Sequence, residues 1–187
     1  RERRETYDAG TPDWDRSAAI EVWLSIEQLD RNQVIFESGG ESAGISLTLG
    51  DADGSGLHDD LRFRILGTQG EALTVDAPVN RFADPRHGYI HVAAVFDDRN
   101  DSRRAQLYVN GALAGESAGT AGQEHSLRWD EYDPAGLGNV AGEVGAAGGP
   151  GQLPFVGGFT GQIASFRFHN QPLDEIEIRS AYNAMLY

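Results

Sequence analysis

The most specific chemistry in this chain is concentrated in ten consecutive residues, Asp51-Ala52-Asp53-Gly54-Ser55-Gly56-Leu57-His58-Asp59-Asp60. Counted from Asp51, oxygen-bearing side chains fall at positions one, three, five and nine, Asp60 follows, and Gly56 stands at position six. This is most of the spacing of a calcium loop, in which oxygens gather around a hard cation and a glycine makes the sharp turn. Crowding carboxylates in a short turn disfavours the charge on each, and a bound cation relieves that repulsion. Asp51, Asp53, Ser55, Asp59 and Asp60 are therefore predicted to hold Ca2+. The plain alternative is a solvated hairpin tip, since Asp and Gly favour turns. The pattern departs from the loop at position twelve, where Arg62 stands in place of a bidentate Glu. The flanks also depart: 44–49 and 61–66 alternate with period two, which predicts strand–loop–strand rather than helix–loop–helix. Either Asp59 or Asp60 could then turn outward to pair with Arg62 or Arg64.

Other candidate groups are more dispersed. The aromatics Trp129 and Tyr132, with Asp130, Asp133 and Asn139, offer stacking surfaces and acceptors beside a glycine-rich stretch at 136–158, the composition of a sugar-binding rim. Asp97, Asp98 and Asp101 make a second acidic turn, which Arg99, Arg103 and Arg104 can balance. The five histidines show no H-E-x-x-H spacing, and no G-x-S-x-G elbow is present. A retaining glycosidase needs two carboxylates about 5 Å apart, which alternate positions on a strand can supply. The strings Asp130-Glu131-Tyr132-Asp133 and Asp174-Glu175-Ile176-Glu177 do not fit that geometry, the first because of Pro134 and the second because Pro172 opens a predicted helix. Catalysis is not expected.

The elements that must position these groups are mostly strands. Ile20, Val22, Leu24 and Ile26 alternate onto one face of a strand over 19–26, and 33–38, 44–49, 61–66, 71–75, 105–109, 112–115 and 161–169 read similarly. The run 89–97 is apolar on both faces, which predicts a central strand. Asn110-Gly111 is a strong type I′ hairpin signal. Residues 136–161 read as one long shaped loop. A helix is predicted from about Pro172 to Ala184, with Ile176, Ala181 and Tyr182 available for packing. Many short strands separated by turn signals predict an all-β, two-sheet antiparallel jelly-roll sandwich with a short C-terminal helix, as a single domain over 1–187.

Composition narrows the function. The net charge of −14 argues against nucleic acid and anionic membranes as partners. All fifteen basic residues are Arg, and there is no Cys, so disulfides and thiolate chemistry are excluded. No apolar run is long enough to span a bilayer. The chain opens at Arg1 in a charged stretch without an initiator Met, which reads as a monomeric module taken from a longer protein.

Three fragments carry a family resemblance: His91-Val92-Ala93-Ala94-Val95-Phe96-Asp97 leading to Leu107-Tyr108-Val109-Asn110-Gly111; Phe159-Thr160-Gly161-Gln162-Ile163-Ala164-Ser165-Phe166-Arg167-Phe168; and Pro172-Leu173-Asp174 opening a helix. In order and spacing they resemble the second half of a laminin G-like domain of the concanavalin A-like lectin/glucanase superfamily, with the whole resemblance running over 15–186. The resemblance implies a jelly roll of roughly a dozen strands, calcium at a rim, and neighbouring loops that hold carbohydrate or protein. It also implies an extracellular or cell-surface setting, as in bacterial adhesins. The function expected from residues and resemblance together is calcium-dependent, lectin-like carbohydrate binding in cell adhesion, with a glycan or cell-surface ligand as partner. A structural or protein-binding spacer with structural calcium is the alternative, and a glycoside hydrolase a further one.

Overall fold

The computed structural model describes residues 17–39, 44–66, 72–79, 88–98, 103–119, 135–139 and 157–185. Among these residues the chain forms eleven strands and one helix. One sheet places β1 (Ala18–Ile26), β6 (Ile90–Asp97), β7 (Arg104–Val109), β8 (Ala112–Ala118) and β11 (Gly161–His169) in the order β11-β1-β6-β7-β8. The other contains β2 (Gln33–Gly39), β3 (Gly44–Gly50), β4 (Asp60–Leu66) and β5 (Ala72–Pro78), extended at β2 by the two-residue strands β9 (Gly136–Leu137) and β10 (Gly157–Gly158). The pairings are antiparallel except β10 with β2.

The period-two pattern fixes which residues meet between the sheets. Ile20, Val22 and Leu24 of β1 join Ile45, Leu47 and Leu49 of β3, Leu61, Phe63 and Ile65 of β4, and Ile90, Val92, Ala94 and Phe96 of β6 in one buried cluster. Because successive side chains alternate across a strand, the intervening residues of β3, β4 and β5 lie on the outer face of the second sheet. β6 occupies the middle of its sheet as its two-sided apolar character predicts: its other face, with Ala93 and Val95, lies in a smaller cluster with Ala19, Tyr108 and Ile178.

Ile178 belongs to α1 (Glu175–Ala184), which Asp174 starts by capping the backbone N–H of Glu177 while Glu177 accepts from the backbone of Asp174. This capping box accounts for the Asp174 to Glu177 acidic string as a helix start. The helix does not pack through Ile176, which is 77% exposed; Ile178 is the buried residue, with Leu173 and Tyr182 beside it on the sheet. A two-residue offset turns a helical side chain by roughly 200°, so only one of the two isoleucines can face inward. Tyr182 packs on the β7–β8 turn, where Asn110 and Gly111 take φ of 51° and 74°. A Cβ on Gly111 would stand 3.1 Å from the Tyr182 ring.

The stretch 136–161 is not a loop throughout. Both its ends form strands on the edge of β2, Gly136–Leu137 with Glu37 and Phe36, and Gly157–Gly158 with Gln33 and Val34. Pairing along a sheet edge uses backbone groups only, so it leaves no hydrophobic pattern to read. Here glycine serves backbone approach: a Cβ on Gly158 would lie 2.7 Å from the carbonyl oxygen of Gly138.

Candidate functional site

β3 and β4 pair from Gly50↔Asp60 to Gly44↔Leu66, and the acidic loop closes their end. The flanks are strands, as expected, and Gly54 and Gly56 turn the chain with φ of 74° and 86°. The loop is tied inward at three points: Asp51 N donates to Asn32 Oδ1, His58 N to Leu29 O, and Val79 N to Asp59 O. Within it, carboxylates collect backbone donors. Asp60 Oδ2 accepts from Ala52 N at 3.0 Å and Asp53 N at 3.2 Å, Asp53 Oδ1 from Ser55 N at 2.9 Å, and Asp51 Oδ2 from Gly56 N at 3.1 Å.

The result is convergence. One carboxylate oxygen from each of Asp51, Asp53 and Asp60 lies within 4.8 Å of the others, with Asp60 buried, Asp51 half-buried and Asp53 exposed. Their environments differ. Hydrogen bonds from the Ser55 side chain and backbone lower the Asp53 pKa, whereas burial raises that of Asp60, helped by the charges of Asp53 and Asp59. Asp51 Oδ1 is buried with no hydrogen-bond partner. An all-oxygen donor set around an unsatisfied carboxylate oxygen fits a hard divalent cation such as Ca2+.

The five loop residues predicted as ligands divide. Asp51, Asp53 and Asp60 come together. Asp59 is buried and stands outside that convergence, and the Ser55 hydroxyl accepts from Leu57 N, shaping the turn. Arg62 does not pair with Asp59 or Asp60: it makes a bidentate pair with Asp76, its cross-strand neighbour on β5, through Nε at 2.7 Å and Nη2 at 3.0 Å. Beside the loop lies a cavity of about 460 Å³ lined by Asp53, Ser55, Leu57, Asp59, Asp60, Asp76 and Pro78, together with Ala52. Sequence reasoning missed Asp76. The signal was available in its alternation with Val75 and Ala77, which sets it on the outer face, but only the register shows which residue it meets.

Of the residues predicted for the sugar rim, Trp129, Asp130, Tyr132 and Asp133 lie outside the described residues. Asn139 is exposed, just beyond β9 and beside Gly158. The second acidic turn is described at its ends, where Arg103 and Asp98 pair at 3.4 Å.

A second charged cluster lies on the face covered by α1. Glu21, 4% exposed, meets His91 Nε2 at 3.2 Å through Oε1 and His169 Nε2 at 3.2 Å through Oε2, and Arg167 Nη1 donates to it at 3.3 Å. The hydrogen bond with His91, opposed by burial and aided by the His91 charge, His169 and Arg167, lowers the Glu21 pKa to about 2. His91 is fully buried, its ring 5.1 Å from Trp23, and Tyr182 stacks on Trp23 at 5.8 Å. His91 is thus packed into the sheet and held by Glu21 and Trp23.

The chain is thus a two-sheet β-sandwich with a loop at its rim where three carboxylates meet. The chain belongs to the concanavalin A-like lectin/glucanases superfamily, whose laminin G-like family profile matches residues 6–179. No curated protein sequence matches it. Among solved structures, the CBM40 of a Ruminococcus gnavus IT-sialidase aligns at a TM-score of 0.60 with 15% identity, over 89% of this chain and 83% of that one. The receptor-binding domain of botulinum neurotoxin D aligns at 0.62 with 10% identity, over 91% and 38%. The binding domain of botulinum neurotoxin DC in complex with SialylT aligns at 0.56 with 14% identity, over 92% and 36%. The chain thus spans well under half the length of these toxin domains, and the likeness establishes the fold.

Proposed function

We propose that this domain is a calcium-dependent carbohydrate-binding module, serving adhesion in an extracellular or cell-surface protein and carrying no catalytic role of its own. The observation that carries the reading is the meeting of Asp51, Asp53 and Asp60 at the edge of a pocket of about 460 Å³, a volume in the usual range for small-molecule sites. In this reading the three aspartates hold the ion. The ion supplies a Lewis-acidic contact for ligand oxygens, while the loop's backbone N–H groups keep the carboxylates oriented. Family membership supports the lectin class, and so does the likeness in fold to a sialidase CBM40 and to a toxin binding domain in complex with SialylT. Among the described residues no helix is long and apolar enough to cross a membrane.

A specific observation favours a second reading, a spacer with structural calcium: the loop carboxylates already serve their own backbone. The rim of Trp129, Asp130, Tyr132, Asp133 and Asn139 remains a proposed ligand surface, to be tested by replacing Trp129 and Tyr132 with Ala and measuring glycan binding. The cation is tested first. Calcium at about a hundred times its Kd stabilises the folded state by about 2.7 kcal/mol, which for a domain of this size raises Tm by about 5–10 °C. Asp51→Ala with Asp53→Ala abolishes that rise. A parent Tm that is the same in calcium and in chelator contradicts the proposal.

A further inference from the structure

On the same rim as the acidic loop, the turn from β1 to β2 carries a cation bound to no carboxylate. Arg31 stands in that turn, and its neighbour Asn32 accepts from Asp51 N through Oδ1. Arg31 Nη2 donates to Thr160 Oγ1 at 2.7 Å, while Nε is buried with no hydrogen-bond partner. A Cβ on Gly157 would lie 3.9 Å from Cζ and from Nη1, so glycine there leaves that side of the guanidinium without a covering side chain. The mount is tied down on both sides: Thr160 N donates to Gln33 Oε1 at 2.6 Å, and Gln33 Nε2 to Gln28 O at 2.7 Å.

Other arginines are used differently. Arg62, Arg103, Arg104, Arg167 and Arg179 each reach a carboxylate, on Asp76, Asp98, Glu116, Glu21 and Glu175 respectively. Arg31 makes no such pair among the described residues, in a chain with 29 acidic residues against 15 basic ones. Where carboxylates are so plentiful, a guanidinium bonded only to a neutral hydroxyl keeps donors for an oxyanion from outside. Its planar fork matches the oxygens of such a group. Thr160, whose oxygen accepts from Arg31, still has its own O–H to donate.

Resting on the carbohydrate reading above, we infer that Arg31 is a specificity-determining residue that reads an oxyanion on the sugar, a carboxylate or a sulfate, so that the domain prefers an acidic sugar to its neutral counterpart. Arg31 Nη1 and the Thr160 hydroxyl donate to that oxyanion. An ion held by the acidic loop could also take a sugar carboxylate, so the test changes Arg31 and leaves the loop intact.

Calorimetric titration in saturating calcium compares methyl glucoside, methyl glucuronide and glucose 6-sulfate, which differ at the sixth carbon. At least one acidic sugar binds about tenfold more tightly than the glucoside, as a charge-assisted hydrogen bond warrants, and which of the two does so identifies the oxyanion. Arg31→Gln removes that preference and leaves the glucoside's affinity unchanged. Arg31→Lys, which keeps the charge without the fork, keeps the preference in part, and it decides the matter if Arg31→Gln fails to fold. Acidic sugars bound no more tightly than the glucoside, a preference that survives in both variants, or an equal loss for all three sugars overturns the inference while leaving the carbohydrate reading intact. Failure of all three sugars to bind the parent overturns that reading and this inference with it.

Discussion

Replacing Glu21 with Gln should convert the buried cluster under α1 from an acid-sensitive stabiliser into a neutral, weaker one. Glu21 titrates at about 2 in the fold against an ordinary value of 4.5, chiefly because His91 is hydrogen-bonded to its ionised form. That difference corresponds to roughly 3 kcal/mol of stabilisation. Since the folded-state value is the lower one, the contribution is whole above about pH 4.5 and is lost as pH falls toward 2. Gln keeps the size and one acceptor but removes the charge that His91, His169 and Arg167 surround. Urea unfolding followed by Trp fluorescence at stepped pH reads both effects. Glu21→Gln lowers stability at pH 7 by about 3 kcal/mol, or about 6–12 °C in Tm, and flattens the acid limb between pH 4.5 and 2. If the variant unfolds like the parent at pH 7 and loses stability below pH 4.5 just as steeply, the cluster does not work this way.

Two further substitutions probe the scaffold. Ile178→Ala costs about 2–5 kcal/mol because the side chain is fully buried, whereas Ile176→Ala changes stability by less than about 0.5 kcal/mol; equal effects in thermal melts would mean that the helix docks by another face. Gly161→Ala brings a Cβ to within 2.0 Å of the Ser25 carbonyl oxygen, so β11 must shift from β1 at a cost on the order of 2 kcal/mol, and an unchanged Tm would show that this edge pairing yields freely.

The strands that line the core, β1, β3, β4 and β6 among them, were legible because their inward-facing residues are all apolar and recur at every second position. The acidic loop was legible because Asp, Ser and Gly crowd ten residues between two alternating runs, and the fold does bring Asp51, Asp53 and Asp60 together there. β9 and β10 were hidden because glycines on a sheet edge pair through backbone alone. Ile178 was misjudged in favour of Ile176 because ten residues of short helix offer two plausible faces, and only the docking of Leu173 and Tyr182 decides between them. Asp76 went unnoticed because its meaning depends on a cross-strand partner fourteen positions away, Arg62, and the register that joins them is tertiary. For the same reason Asp59, which fits the loop pattern at position nine, could not be separated from Asp60 until the fold placed one inside the convergence of oxygens and the other outside it.

If Asp51, Asp53 and Asp60 hold an ion through which the domain grips a sugar, glycan binding must follow the ion. A glycan array probed with the domain in calcium, in chelator, and as the Asp51→Ala, Asp53→Ala double variant tests it most directly. Glycan signals should appear in calcium and vanish both in chelator and in the variant. Glycan binding that persists undiminished in chelator, or in the double variant, would contradict it.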